Sequence, residues 1–82
     1  MATVILSSDL ARAHTKGETT FEIEAATMRS LVRALEERFP GLGPALNDGM
    51  AVAIDGQIYH DFFREEVGPD SEVCFLPAIE GG

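Results

Sequence analysis

Apolar and polar residues follow two rhythms along this chain, and each rhythm predicts a different kind of element. Near the start, Thr3-Val4-Ile5-Leu6 is a β-branched and apolar run, which predicts a first strand over Thr3–Ser7. The segment Ser8–Gly17 is polar and closes on Lys16-Gly17, so a turn or loop is expected there. Strict alternation resumes in Thr19-Thr20-Phe21-Glu22-Ile23-Glu24. A period of two puts Phe21 and Ile23 on a buried face and Glu22 and Glu24 in water. Two strands joined by a loop predict a hairpin.

The rhythm then changes. Met28, Leu31, Val32, Leu35 and Phe39 recur at helical spacing and form a single stripe, with Thr27 placed to cap the first turn. Arg38 falls in the last turn, where a cation suits the helix dipole, and Pro40-Gly41 ends the run. This is the one long helix the pattern supports. Gly41–Gly49 is rich in glycine and proline and reads as an irregular connection with Leu42 and Leu46 turned inward. Met50–Ile54 predicts a third strand, and Asp55-Gly56 is a hairpin signal leading to Ile58. His60–Gly68 is mixed, with Phe62-Phe63 flanked by charge. Pro69-Asp70-Ser71 turns the chain into a last strand, Glu72–Pro77. The expected core is Phe21, Ile23, Leu31, Val32, Leu35, Val52, Ile54, Val73 and Phe75, which share the phase of the strands or of the helix stripe.

One amphipathic helix can cover one face of a four- or five-stranded sheet, which predicts an α+β domain of two layers. The first and last strands are nearly continuous apolar runs, so they are expected together at the sheet centre. If Val52, Ile54, Val73 and Phe75 point to the helix, then Ala51, Ala53, Cys74 and Leu76 point to the other face. That face is small and apolar, with Glu72 and Asp55 at its rim, the composition of a protein-binding patch.

Composition narrows the functional classes. The 82 residues leave room for one domain, and 45% hydrophobic with 24% charged residues describes a chain that folds. No apolar stretch is long enough to span a bilayer and no signal peptide opens the chain, so a cytoplasmic location is expected, with no membrane contact. The formal net charge of −8 opposes binding to nucleic acid and favours partners with basic surfaces. Cys74 is the single cysteine and has no metal-spaced neighbours. His14 and His60 stand in expected loops without partners at motif spacing. Glu36-Glu37 and Glu65-Glu66 read as solvated pairs, and Cys74 as a packing residue. No phosphate-binding glycine loop, nucleophile triad or basic-aromatic stripe is present, which argues against catalysis by the chain itself.

The last six residues, Pro77-Ala78-Ile79-Glu80-Gly81-Gly82, stand apart. At average glycine usage a Gly-Gly pair falls at a given place roughly one time in 200. Two glycines remove the side chains beside a carboxylate, so that it can thread a narrow channel. A frayed end has the same composition, and the residues alone do not separate the two readings.

The order strand, strand, helix, strand, short strand, strand, followed by Gly81-Gly82, resembles the β-grasp ubiquitin-like fold. More narrowly, Asp70–Gly82 looks like the C-terminal signature of the MoaD/ThiS sulfur-carrier family: an acidic turn, an apolar strand, a proline and Gly-Gly. Val52-Ala53-Ile54-Asp55-Gly56 is similar to the family's strand-turn, with Asp55 where asparagine is usual. The resemblance implies a β-grasp domain over residues 1–77 and a flexible tail over residues 78–82. It implies that Gly82, reached through Gly81, is adenylated and then becomes a thiocarboxylate. The chain would bind no cofactor or metal, while ATP and magnesium would serve its activating enzyme. The implied partners are a ubiquitin-activating-type adenylating enzyme and a sulfur-acceptor enzyme. For the acceptor, the molybdopterin synthase large subunit comes first and a cysteine-synthesis enzyme second, since the tail suits the former and the Arg12–Gly17 loop suits the latter. The chain would be a carrier, or the small subunit of a synthase complex. Both partners would meet the sheet face of Ala51, Ala53, Cys74 and Leu76 together with Pro77 and Ile79. A non-covalent β-grasp interaction module and a modifier joined to lysines remain the alternatives.

Overall fold

The structure is a computed structural model, described here for residues 1–47 and 50–77. Its elements are β1 (Ala2–Ile5), α1 (Ser8–His14), β2 (Thr20–Ile23), α2 (Met28–Arg38), α3 (Leu42–Asn47), β3 (Met50–Ile54), β4 (Gln57–Tyr59) and β5 (Glu72–Pro77). The strands form one sheet in the order β2-β1-β5-β3-β4. β1 and β5 run parallel side by side, and the other neighbours are antiparallel. The first and last strands therefore meet inside the sheet, as their unbroken apolar runs predict.

All nine predicted core residues are buried in one cluster. α2 supplies Met28, Leu31, Val32 and Leu35 from its apolar stripe. It starts at Thr27, whose hydroxyl accepts the Ser30 N–H at 3.2 Å, while the Ser30 hydroxyl accepts the Thr27 N–H at 3.3 Å. This reciprocal cap satisfies donors that the first helical turn leaves free. At the other end the Arg38 guanidinium lies over the Phe21 and Phe39 rings, 5.3 and 5.5 Å from their centroids.

Two segments depart from the expected loops. Ser8–Gly17 contains helix α1, and Ser7 belongs to its start rather than to β1: the Ser7 hydroxyl accepts the Leu10 N–H at 3.3 Å. His14 is the last residue of that helix. A seven-residue helix with one buried side chain, Ala11, leaves no stripe to read, so only its polar surface registers in the sequence. Within Gly41–Gly49, Leu42 and Leu46 are buried as expected, but they lie one turn apart on helix α3. Gly43 and Pro44 are tolerated because they fall in the first turn, where a missing N–H breaks no helical bond. The Glu36 carboxylate reaches over from α2 and accepts the N–H groups of Gly41 and Gly43, the latter at 2.7 Å.

The segment between β4 and β5 is anchored to α2. The Met28 N–H donates to the Glu65 carbonyl at 3.0 Å and the Val67 N–H to the Ala26 carbonyl at 2.9 Å. Phe62 and Val67 enter the core, where Phe62 meets Phe75 edge-on at 5.8 Å.

Candidate functional site

β5 is the element that leads to the Gly-Gly end, and it is held on both sides. β1 pairs with it through Thr3–Glu72, Val4–Val73 and Ile5–Cys74, and β3 through five pairs from Met50–Pro77 to Ile54–Val73. The chain after Pro77 thus departs from the middle of a five-stranded sheet. Ile79, Gly81 and Gly82, together with the expected tail over residues 78–82, lie outside the described residues.

Cross-strand pairing fixes what surrounds this root. Neighbours directly across a ladder share a face. On the face away from α2, one row therefore runs Ile5, Cys74, Ala53, Ile58 across β1, β5, β3 and β4. A second row, nearer the exit of β5, holds Leu76 and Ala51. On the other side of the apolar row lie Thr3 and the exposed Glu22 and Glu72. The result is an apolar strip about four strands wide, with acid on one side and the root of the tail on the other.

The predicted patch residues are mostly accessible. Ala53, Cys74 and Leu76 are half-buried and Pro77 is exposed. Ala51 is the exception: it is 1% exposed, so it offers no surface to a partner. Its methyl is short and sits opposite the larger Leu76, which can screen it from water. Two residues of the strip escaped the sequence reading. Ile58 is 57% exposed, although it is a large apolar side chain. Its place was legible: a two-residue Asp55-Gly56 turn pairs Ile54 with Gln57 and hence Ala53 with Ile58. Ile5 joins only through the parallel β1–β5 pairing, a long-range register that no local pattern announces.

Asp55 holds one end of the strip in place. It adopts φ +50, followed by Gly56 at φ +88, the conformation that a tight hairpin turn requires and that aspartate tolerates. Its carboxylate accepts the Glu72 N–H and the Ser71 hydroxyl, each at 2.9 Å, and its own N–H donates to the Glu72 carbonyl. The Ser71 oxygen in turn accepts the Gly68 N–H. The Glu72 N–H first, and the Ser71 hydroxyl second, hold the Asp55 carboxyl below its usual pKa of 3.8. The β3–β4 turn is thereby fastened to the start of β5.

Among the described residues no group of three or more His, Cys, Asp or Glu side chains is placed to hold a metal. Two open grooves, one between Thr3, Phe21 and Arg38 and one between Met1, Ala25 and Val67, involve none of the strip residues. Among the described residues no helix is long and apolar enough to cross a membrane.

The sequence profile of the ThiS family matches residues 6–82, from the residue after β1 through Gly81 and Gly82. The chain belongs to the ThiS family. It is thus a ubiquitin-like β-grasp protein of the sulfur-carrier type, and the mixed sheet over one main helix is that fold. A chain of the Amycolatopsis orientalis BexX/CysO complex is 26% identical, with a TM-score of 0.84 and all of both chains covered. CysO of Mycobacterium tuberculosis is 17% identical with a TM-score of 0.85, over 96% of this chain and 100% of that one. The small archaeal modifier protein from Methanosarcina acetivorans is 17% identical with a TM-score of 0.77, over 99% and 95%. The latter two likenesses speak to fold alone. No curated protein matches the sequence.

Proposed function

We propose that the protein carries sulfur on the carboxylate of Gly82, as a co-substrate of other enzymes. An adenylating enzyme of the ubiquitin-activating type uses ATP and magnesium to join AMP to the Gly82 carboxylate, with pyrophosphate as the leaving group. The outer sulfur of a persulfide then displaces AMP to form an acyl disulfide. A thiol cleaves its S–S bond to leave a thiocarboxylate and a disulfide, and a second enzyme consumes the thiocarboxylate. The observation that carries this reading is the family match running through Gly82, on a segment that β5 launches from the centre of the sheet.

The carrier contributes no acid, base or metal to this scheme. Its own part is to present the end and to dock. The strip of Ile5, Cys74, Ala53, Ile58 and Leu76, with Pro77 at its edge, is the docking face, and both enzymes use it in turn. Full-length likeness to a chain of the BexX/CysO complex favours an acceptor of the cysteine-synthesis type, or one like BexX, over molybdopterin synthase. A second reading, in which the adenylated Gly82 is passed to lysines of proteins, shares the adenylation step and differs in the product.

Intact-mass spectrometry after incubation with ATP, magnesium, the adenylating enzyme and a persulfide donor tests the proposal. The expected change is the replacement of one oxygen by one sulfur. A mass that stays that of the free acid contradicts it.

A further inference from the structure

The chain has six cationic side chains, of which five are arginines and one is a lysine, Lys16. A guanidinium stays protonated and is no acyl acceptor, whereas a lysine amine is a nucleophile once it loses its proton. Lys16 and the α-amine of Met1 are therefore the chain's own nitrogen acceptors for an activated carboxylate.

Their positions differ. β1 and β5 are parallel, so the connection that follows β1 and the chain that follows Pro77 leave from the same end of the sheet. Lys16 lies on that connection. Met1 precedes β1 and lies at the opposite end, beside the start of β5, where the Thr3 N–H meets the Ser71 carbonyl. The connection is also a built structure rather than a slack loop. Ser7 caps one end of α1, and Thr15 pins the other, 2% exposed, with its hydroxyl 3.1 Å from the Ala11 carbonyl and 2.6 Å from the Glu18 carbonyl. From that base the backbone turns left-handed through Lys16 (φ +56) and Gly17 (φ +91). Lys16 is exposed, and nothing lies within 4 Å of where a Cβ on Gly17 would sit. The Lys16 side chain thus stands in solvent on an uncrowded turn, open to another protein.

We propose that Lys16 is the acceptor through which copies of this chain are joined to one another. The inference rests on the reading that Gly82 is adenylated. The Lys16 nitrogen of one copy attacks the Gly82 carbonyl carbon of another. A C–N bond forms, the C–O bond to AMP breaks, AMP leaves with the electron pair, and the amine gives up one proton to solvent. With one activated end and one lysine per chain, the product is an unbranched polymer with a single linkage.

The test uses the full-length wild type and Lys16→Arg, each incubated with ATP, magnesium and the adenylating enzyme. Pyrophosphate release, which reports adenylation, is measured separately from the formation of species heavier than one chain. The wild type is expected to give a ladder whose first rung is two chains less one water. Trypsin should then yield Lys16 carrying the peptide from Glu65 to Gly82. Lys16→Arg should release pyrophosphate, the product of adenylation, yet give no ladder. A ladder that persists in Lys16→Arg, a branch that maps to the Met1 amine, or pyrophosphate release without any ladder from the wild type overturns the inference. Absence of pyrophosphate release from the wild type overturns the carrier reading and this inference with it.

Discussion

Phe75 is 1% exposed in the central strand, and its ring meets Phe62 edge-on while α2 covers it with Leu31 and Leu35 in the same cluster. Removing such a side chain loses its transfer free energy and leaves a cavity that the neighbours fill only in part. Phe75→Ala and Leu35→Ala should each cost about 2–5 kcal/mol, against a total stability on the order of 5–15 kcal/mol. Urea midpoints equal to the wild type in both variants would contradict this core. Asp55 acts through charge instead. Its folded pKa lies below the ordinary value of 3.8, so the unfolded chain takes up the proton first as the pH falls. Its contribution is therefore complete above that value and is lost as the pH drops through the folded pKa. Asp55→Asn tolerates the left-handed turn but lacks the charge. The gap in urea midpoint between it and the wild type should be widest near neutral pH and should narrow below about pH 4. A gap constant across that range would contradict the clamp. The turn at Asp55-Gly56 was legible from the dipeptide, but the clamp was not, because Ser71 and Glu72 lie 16 and 17 residues away.

Elements with a long period were readable, and those defined by a single turn were not. α2 shows its stripe over eleven residues, β2 shows its alternation, and β3 and β5 stand out as apolar runs. α1 and α3 are each two turns or fewer, and α3 depends on Glu36, an acid from another element, to hold its first N–H groups. The sheet face proposed for docking was legible as a phase of β3 and β5. Its full width needed β1 and β4 beside them, and the burial of Ala51 depends on a neighbour across the ladder. Leu76 tests this face because it is half-buried and lies nearest the exit of β5. Leu76→Asp places an unpaired charge at an apolar contact, so binding to the adenylating enzyme should weaken by about tenfold or more, with the thermal unfolding midpoint little changed. Undiminished binding in a titration would remove the strip as the docking site.

At the scale of the molecule, the fold converts a remote pairing into a launching point. Parallel contact between the first and last strands places the start of the Gly-Gly segment at the sheet centre, on a chain with a net charge of −8. Such a field hastens encounter with basic partners more than it tightens their complexes. The central claim is that Gly82 itself is the chemical site. It is tested most directly by the intact mass of the wild type, a Gly82 deletion and a one-residue extension after Gly82, each offered ATP, magnesium, the adenylating enzyme and a persulfide donor. The account predicts one oxygen-to-sulfur exchange in the wild type and none in either variant, with all three chains equally folded. Sulfur uptake by the Gly82-deleted chain would contradict it.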